Sequence, residues 1–517
     1  VVASQLLNAP DRNSSCSLEQ QETAENQYIC ILLLVFRLEI YNRFLKQHGA
    51  QPSLNMLFNS LQFLVFFGFV TCSFYLVPVK WRWILLLLSS CYFYMVFVPE
   101  YILILLFTIV IDFCAGHLIE RSAGKTRKLW LILSITANLG ILLFYKYFNF
   151  FNVNASHLLS CIGVSNPVKA LQIILPIGLS FHTFQAMSYT LEVYRGNQRA
   201  EKHFGIYSLY VLFYPQLVAG PIERPQNLLP QLKESSPFNR IVVQDALLRM
   251  AWGFFKKVVI ADRLSVLVDD CYAHTSGHNI FTLWIGVFFY AIQIYCDFSG
   301  YTDMALGAAE VMGIRLMENF NAPYLSASLH EFWTRWHISL SSWFKDYVYF
   351  PLGGSRKGWM KHLRNLVIVF LLSGLWHGPN WTFVLWGLLN ALYLIFELLV
   401  VKRITFFSLP RTLKIVLTFV VVSLLWVFFR SPTIQGAWYM LNRLFSFSGA
   451  LTPETGMNTT ELVFCLMLIA CLFLKERYTQ LFLNTSQLRF YCLLSLLVAL
   501  SYVFGIYNQK QFIYFQF

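Results

Sequence analysis

Charged residues are scarce in this chain: Asp, Glu, Lys and Arg make up 13% of 517 residues, against 57% hydrophobic. Soluble domains use roughly 25% charged residues, so the shortage excludes a water-soluble enzyme and points to a chain built for a bilayer. Cysteine is present without pattern. The eleven cysteines form no close pair at metal-ligand spacing and no regular framework, so neither a zinc site nor a disulfide scaffold is indicated and no metal is assigned. Also missing are an internal repeat of fixed period, a low-complexity tract and any compositional break after Met56. Nothing therefore marks a second domain beyond that point.

What is abundant is apolar sequence in runs of bilayer length. Candidate spans cover residues 57–77, 83–98, 101–119, 129–151, 170–194, 204–219, 241–260, 279–297, 365–376, 381–401, 412–430, 462–474 and 491–507. Some are short or polar, and about eleven crossings are expected of an all-α polytopic membrane protein in contact with lipid. The net charge of +13 sits in short clusters between spans, as retention of Lys and Arg on the cytoplasmic side requires. It calls for no nucleic-acid partner. The links 120–128 (Arg121, Lys125, Arg127, Lys128), 402–414 (Lys402, Arg403, Arg411, Lys414) and 315–364 are assigned to the cytoplasm, and the cation-poor segments 152–168 and 431–461 to the outside.

Residues 1–55 read differently. The stretch "NAPDRNSSCSLEQQETAENQ" is polar and acidic, the apolar run after it is too short to span, and no basic region precedes it as a signal peptide requires. Met56 opens an apolar run, so 1–55 is expected to be a dispensable extension, disordered or a non-native start, ahead of one membrane domain, 56–517.

Between 297 and 364 the chain becomes dense in reactive groups. Asp297 and Asp303 follow span 279–297; carboxylates in such positions face a cavity or a partner, or else mark the cytoplasmic exit of the span. Ser328 and Glu331 fit a capping box, which predicts a helix from Ser328 to about Ser342. On it Trp333, Trp336, His337, Leu340, Trp343 and Phe344 share one apolar face, with His330 two turns earlier on nearly the same side. Spacing alone leaves His337 open between a buried structural histidine and a working one. The following "PLGGSRKG" combines Gly353 and Gly354 with Arg356 and Lys357. Free backbone N–H groups beside two cations suit phosphate oxygens, and a basic topology signal is the alternative.

The stretch "LLSGLWHGPNW", residues 371–381, sets Trp376 and His377 immediately before a Gly-Pro break. The twelve residues 365–376 give only about 18 Å of helix, short of a crossing, so the turn is expected inside the membrane on a cavity.

The ordered motifs "LVAGPIERPQ", "DFSGYTDMALG", "NFNAPYLSASLHEFWTRWHISLSSWFKDYVYFPLGG", "SGLWHGPNWTFVLWG" and "FIYFQF" resemble the membrane-bound O-acyltransferases, and among them the bacterial branch that acetylates alginate. The resemblance runs from Met56 to Phe517. It implies a multi-helix funnel with re-entrant and cytoplasmic helices, in a bacterial cytoplasmic membrane. By motif it implies that His377 is the catalytic histidine, His337 a second active-site histidine and His330 a further histidine of that branch. It also implies acetyl-CoA as donor, with no bound cofactor, an exported acetyltransferase partner and a polysaccharide acceptor. The same chemistry on peptidoglycan or another wall glycan is one alternative, and a transporter with buried histidines is another.

Overall fold

A computed structural model describes residues 56–173, 175–217, 220–234, 237–401, 409–446, 457–478 and 486–507. The extension 1–55, Lys402 and Arg403 of the basic link, and the terminal "FIYFQF" lie outside the described residues. Among the described residues there are helices and no strands, as the apolar runs require in a bilayer that cannot hydrogen-bond a bare backbone. Six helical stretches among the described residues are long and apolar enough to span: Pro99–Arg121, Gly124–Cys161, Ile280–Glu310, Trp381–Leu399, Arg411–Arg430 and Gln487–Phe504. The expected count of about eleven is not established by that measure.

The chain divides into two compact units, Val1–Cys72 and Ser73–Phe517. The described residues of the first are helical from Leu61 and include an aromatic cluster in which Phe63 packs on Phe58 (4.6 Å between ring centres) and Phe67 (6.0 Å). The second holds the candidate site, which eight helices position: α1 (Gly124–Leu142), α2 (Leu179–Arg195), α3 (Ile280–Glu310), α4 (Leu329–Arg335), α5 (Ile338–Phe344), α6 (Trp359–His377), α7 (Trp381–Phe396) and α8 (Arg411–Arg430). A π-helical turn, Leu143–Tyr147, continues α1 into the helix Phe148–Cys161.

Three expectations are corrected. The span expected at 279–297 is α3, 31 residues long and buried on most sides. It passes through Asp297 and Asp303 because the neighbouring segment supplies their counter-ions: Lys257 Nζ lies 2.7 Å from Asp297, and Lys256 Nζ and Arg249 Nε lie 2.7 and 3.0 Å from Asp303. Neither carboxylate marks a helix end.

The helix expected from Ser328 to Ser342 is two helices. The capping contact is present, with Ser328 Oγ accepting the Glu331 N–H at 3.0 Å, while Glu331 reaches back to the Ala327 N–H at 2.8 Å. The helix nevertheless stops after Arg335, because segment 319–321 captures the backbone that would continue it. The Asn321 N–H donates to Arg335 O (3.0 Å) and the Ile338 N–H donates to Asn319 O (2.9 Å).

Third, α6 begins at Trp359, six residues before the apolar run. Its 19 residues give about 28 Å of helix, close to a hydrocarbon thickness. The helix is thus longer than residues 365–376, although it is not among the stretches both long and apolar enough to span. The break at its end is local chemistry. Gly378 is extended, Pro379 has no N–H, and Asn380 caps α7 by accepting the Thr382 N–H at 3.0 Å. α6 and α7 then pack back to back through two glycines. A Cβ on Gly374 would strike Phe383 O, and one on Gly387 would strike Phe370 O.

Candidate active site

His377 is the last residue of α6 and is 5% exposed; His337, between α4 and α5, is 1% exposed. They approach each other around Trp376, whose ring centre lies 5.0 Å from His377 and 6.0 Å from His337. Aromatic rings build the rest of the enclosure. Trp386 of α7 and Phe429 of α8 meet His377 edge-on at 5.2 and 5.1 Å. Phe181 of α2 stacks on His337 at 6.1 Å, and Phe298 of α3 touches it at 4.8 Å. Four separate helices thus close the site against water.

His337 carries an unusual backbone. Its φ of 44° and ψ of 55° are left-handed, and only Ala322 shares a positive φ among the described non-glycine residues. That conformation costs about 1–2 kcal/mol in a residue with a Cβ, and strain of this kind concentrates at working sites. The turn lets Nδ1 accept the Leu340 N–H at 3.3 Å. In a neutral ring the remaining proton is then on Nε2, so His337 offers a donor.

The turn is braced from below. Ser339 Oγ donates to Asn319 Oδ1 at 2.6 Å and accepts the Ile222 N–H at 3.0 Å, tying the "GPIER" loop to α5. Glu223 in the same loop accepts the Met317 N–H and an Asn227 Nδ2 proton, and burial pushes its carboxyl up to about 7.

One face of α2 runs from the histidines to a polar cavity. Phe181, Phe184, Ser188, Glu192 and Arg195 follow at three- and four-residue steps, so Phe181 and Glu192 are about 16 Å apart along the axis. Phe184 stacks on Trp343 at 3.9 Å, and Trp343 Nε1 donates to Ser188 Oγ at 2.9 Å. At the far end an open cavity of about 590 Å³ is lined by Glu192, Arg195, Arg224, Gln226, Asp346 and Tyr347. The Arg195 and Arg224 guanidinium groups lie 4.7 and 4.4 Å from the Tyr347 ring, and Arg224 Nη2 pairs with Asp346 at 2.9 Å.

Of the residues picked out by sequence, the fold brings His377, His337 and Trp376 together. Asp297 and Asp303 are engaged by the cations described above, and the residue of that segment facing His337 is Phe298. His330 is exposed, on the far side of the break from His337, with its N–H donating to Glu397 at 3.0 Å. Gly353 and Gly354 have φ of 105° and 57°, as a tight turn there requires. Arg356 and Lys357 are exposed on that turn, and Phe350 and Pro351 just ahead of it join the cavity lining.

Sequence reasoning missed Arg195, Arg224 and Tyr347, which come together only through packing, and also Lys146. Lys146 had a signal: it is a lone cation in "ILLFYKYFNF", and such a group in a span needs an explanation. Its Nζ donates to Trp376 O at 2.7 Å and His377 O at 3.0 Å.

Comparison with known proteins gives this geometry a setting. The model of MBOAT, the membrane-bound O-acyltransferase family, matches residues 21–434, reaching into the stretch ahead of Met56. The chain is 37% identical over 440 residues to the probable alginate O-acetylase AlgI of Pseudomonas aeruginosa, covering 82% of this chain and 83% of that protein. It is 34% identical over 415 residues to the peptidoglycan O-acetyltransferase of Helicobacter pylori, covering 75% and 77%. Similarity to the teichoic acid D-alanyltransferase of Bacillus subtilis is 29% over 226 residues, covering 42% and 57%.

Proposed function

The chain belongs to the membrane-bound O-acyltransferase family and is a multi-pass membrane acyltransferase; from that premise we propose that it transfers acetyl from a cytoplasmic thioester, acetyl-CoA, for O-acetylation of an extracytoplasmic polysaccharide. The observation that carries the reading is the pair of buried histidines on either side of Trp376, enclosed by rings from four helices.

A thioester is already activated, so the enzyme needs a base for the acceptor hydroxyl and a donor for the oxyanion. His377 takes the hydroxyl proton as the oxygen attacks the thioester carbonyl. His337, with its proton on Nε2, stabilises the tetrahedral oxyanion. Collapse forms the ester and breaks the C–S bond, and the thiolate leaves with the proton held by His377. The closed aromatic surround keeps water from competing as acceptor.

The polar cavity at the far end of α2 suits the donor's polar end. Two guanidinium groups beside an aromatic ring match phosphates and a base, and the basic turn carrying Gly353, Gly354, Arg356 and Lys357 adjoins it. The segments around the cavity carry Arg195, Arg199, Lys202, Arg224 and Lys233, which favours the cytoplasmic side. The bacterial relatives favour a cytoplasmic membrane, and an acceptor on its outer side calls for an exported acetyltransferase partner acting on the polymer. Alginate is the acceptor favoured by the relative of highest identity given above, and peptidoglycan is the second reading, favoured by the Helicobacter relative.

The test is the O-acetyl content of surface polymers, by mass spectrometry, in cells carrying the wild-type chain or His377→Ala. Loss of acetyl with the variant still accumulated in the membrane is expected. Retained acetylation refutes the assignment.

A further inference from the structure

The end of α6 poses a problem that its own helix does not solve. The last carbonyls of a helix have no intrahelical donors, and beyond His377 the chain offers an extended glycine and then a proline with no N–H. The π-helical turn Leu143–Tyr147 supplies the missing donors. Lys146 Nζ reaches Trp376 O (2.7 Å) and His377 O (3.0 Å), and Tyr147 Oη reaches Leu375 O (2.5 Å). Three consecutive carbonyls, ending on His377, are therefore held by two adjacent side chains of another helix.

The electrostatics agree with the geometry. Among the described ion pairs none gives Lys146 a carboxylate. Its charge meets instead the negative end of the α6 dipole and the Trp376 ring, whose centre lies 5.8 Å from Nζ. A lysine inside the spanning stretch Gly124–Cys161 is thus spent on the one turn that carries His377.

We propose that Lys146, with Tyr147, is the positioning device of the acyl-transfer site: it clamps the open C-terminal turn of α6 and so holds the His377 ring in register with the thioester and with His337. It touches no reacting atom and acts through the backbone of Trp376 and His377. Arginine, which can also donate to two carbonyls, keeps the clamp; methionine, of similar length and apolar, removes it. This rests on His377 being the reacting ring.

The experiment measures polymer O-acetylation in cells, normalised to membrane-inserted protein, for Lys146→Met, Lys146→Arg, Tyr147→Phe, His377→Ala and the double variant Lys146→Met/His377→Ala. Expected are a loss of about 10- to 100-fold for Lys146→Met, as a displacement near 1 Å produces, recovery to within about fivefold of wild type in Lys146→Arg, and a smaller loss in Tyr147→Phe. In the His377→Ala background Lys146→Met is expected to remove nothing further, because both changes act on one group. Wild-type activity in Lys146→Met, or equal losses in the Met and Arg variants, overturns the clamp. If Lys146→Met does not accumulate, the Arg and Phe variants decide: unimpaired Tyr147→Phe together with inactive Lys146→Arg overturns it. An active His377→Ala instead overturns the functional reading itself.

Discussion

Two buried polar regions of this membrane protein are built on opposite principles. Around α3, Lys257 is paired with both Asp297 (2.7 Å) and Asp262 (2.8 Å), while Asp303 lies between Lys256 and Arg249. Every one of these charges has an opposite charge in contact. Around His377 and His337 the neighbours are rings: Trp376, Trp386, Phe429, Phe181 and Phe298. A compensated ion cluster resists change, since removing one member strands another in low dielectric. An imidazole among aromatic faces is instead a proton-exchanging group in an apolar surround. The first region holds helices together, and the second is suited to chemistry.

That contrast can be broken by mutation, and the largest expected effect is on the chemistry. His377→Ala should lower polymer acetylation by about 10²- to 10⁴-fold, the range for loss of a general base, while leaving the melting temperature of the detergent-purified protein nearly unchanged. Asp297→Ala should do the reverse. Lys257 keeps Asp262 at 2.8 Å, so the expected cost is about 3 kcal/mol, the low end of the range for breaking a buried pair, read as loss of folded protein on heating; a variant as stable as wild type would show the ion cluster to be dispensable.

Glu223 gives a pH-dependent test of the brace beneath His337. Its carboxyl sits near 7 folded against 4.5 as its ordinary value, so between these values the folded state keeps a proton that the unfolded state has lost. Stability contributed here should fall as pH rises from about 4.5 to about 7 and level off above, by up to roughly 3 kcal/mol. Glu223→Gln should flatten that slope in melting curves recorded across the range. The smallest effect is expected from packing. Gly387→Ala pushes a methyl into Phe370 O, at a cost of about 1–3 kcal/mol, and a melting temperature equal to wild type would contradict the close α6–α7 contact.

How far the site could be read in advance depended on the kind of signal. His377 and its break were legible because Gly378, Pro379 and Asn380 are local instructions, each acting on its own backbone. The break at His337 was not. Ser328 announced a helix start, and nothing nearby announces that segment 319–321 will take the backbone hydrogen bonds of Arg335 and Ile338. The C-terminal end of α3 was misplaced for a related reason, since hydropathy treats Asp297 and Asp303 as exits while Lys256 and Lys257, some 40 residues earlier, neutralise them. Arg195, Arg224 and Asp346 form one cavity from three distant stretches, which periodicity along a single helix does not reveal.

By itself the sequence determined the solvent, the class and the candidate histidine. Charge scarcity, apolar run length and turn chemistry are properties of single residues and short windows, and they act before any long-range contact forms. Only the tertiary structure decided what surrounds that histidine. The left-handed turn that aims His337, the Lys146 clamp on α6 and the pairing of each buried charge are contacts between segments far apart in the chain. Their free energy comes from direct hydrogen bonds and ion pairs that offset the desolvation of both partners, so it exists only once the helices are packed.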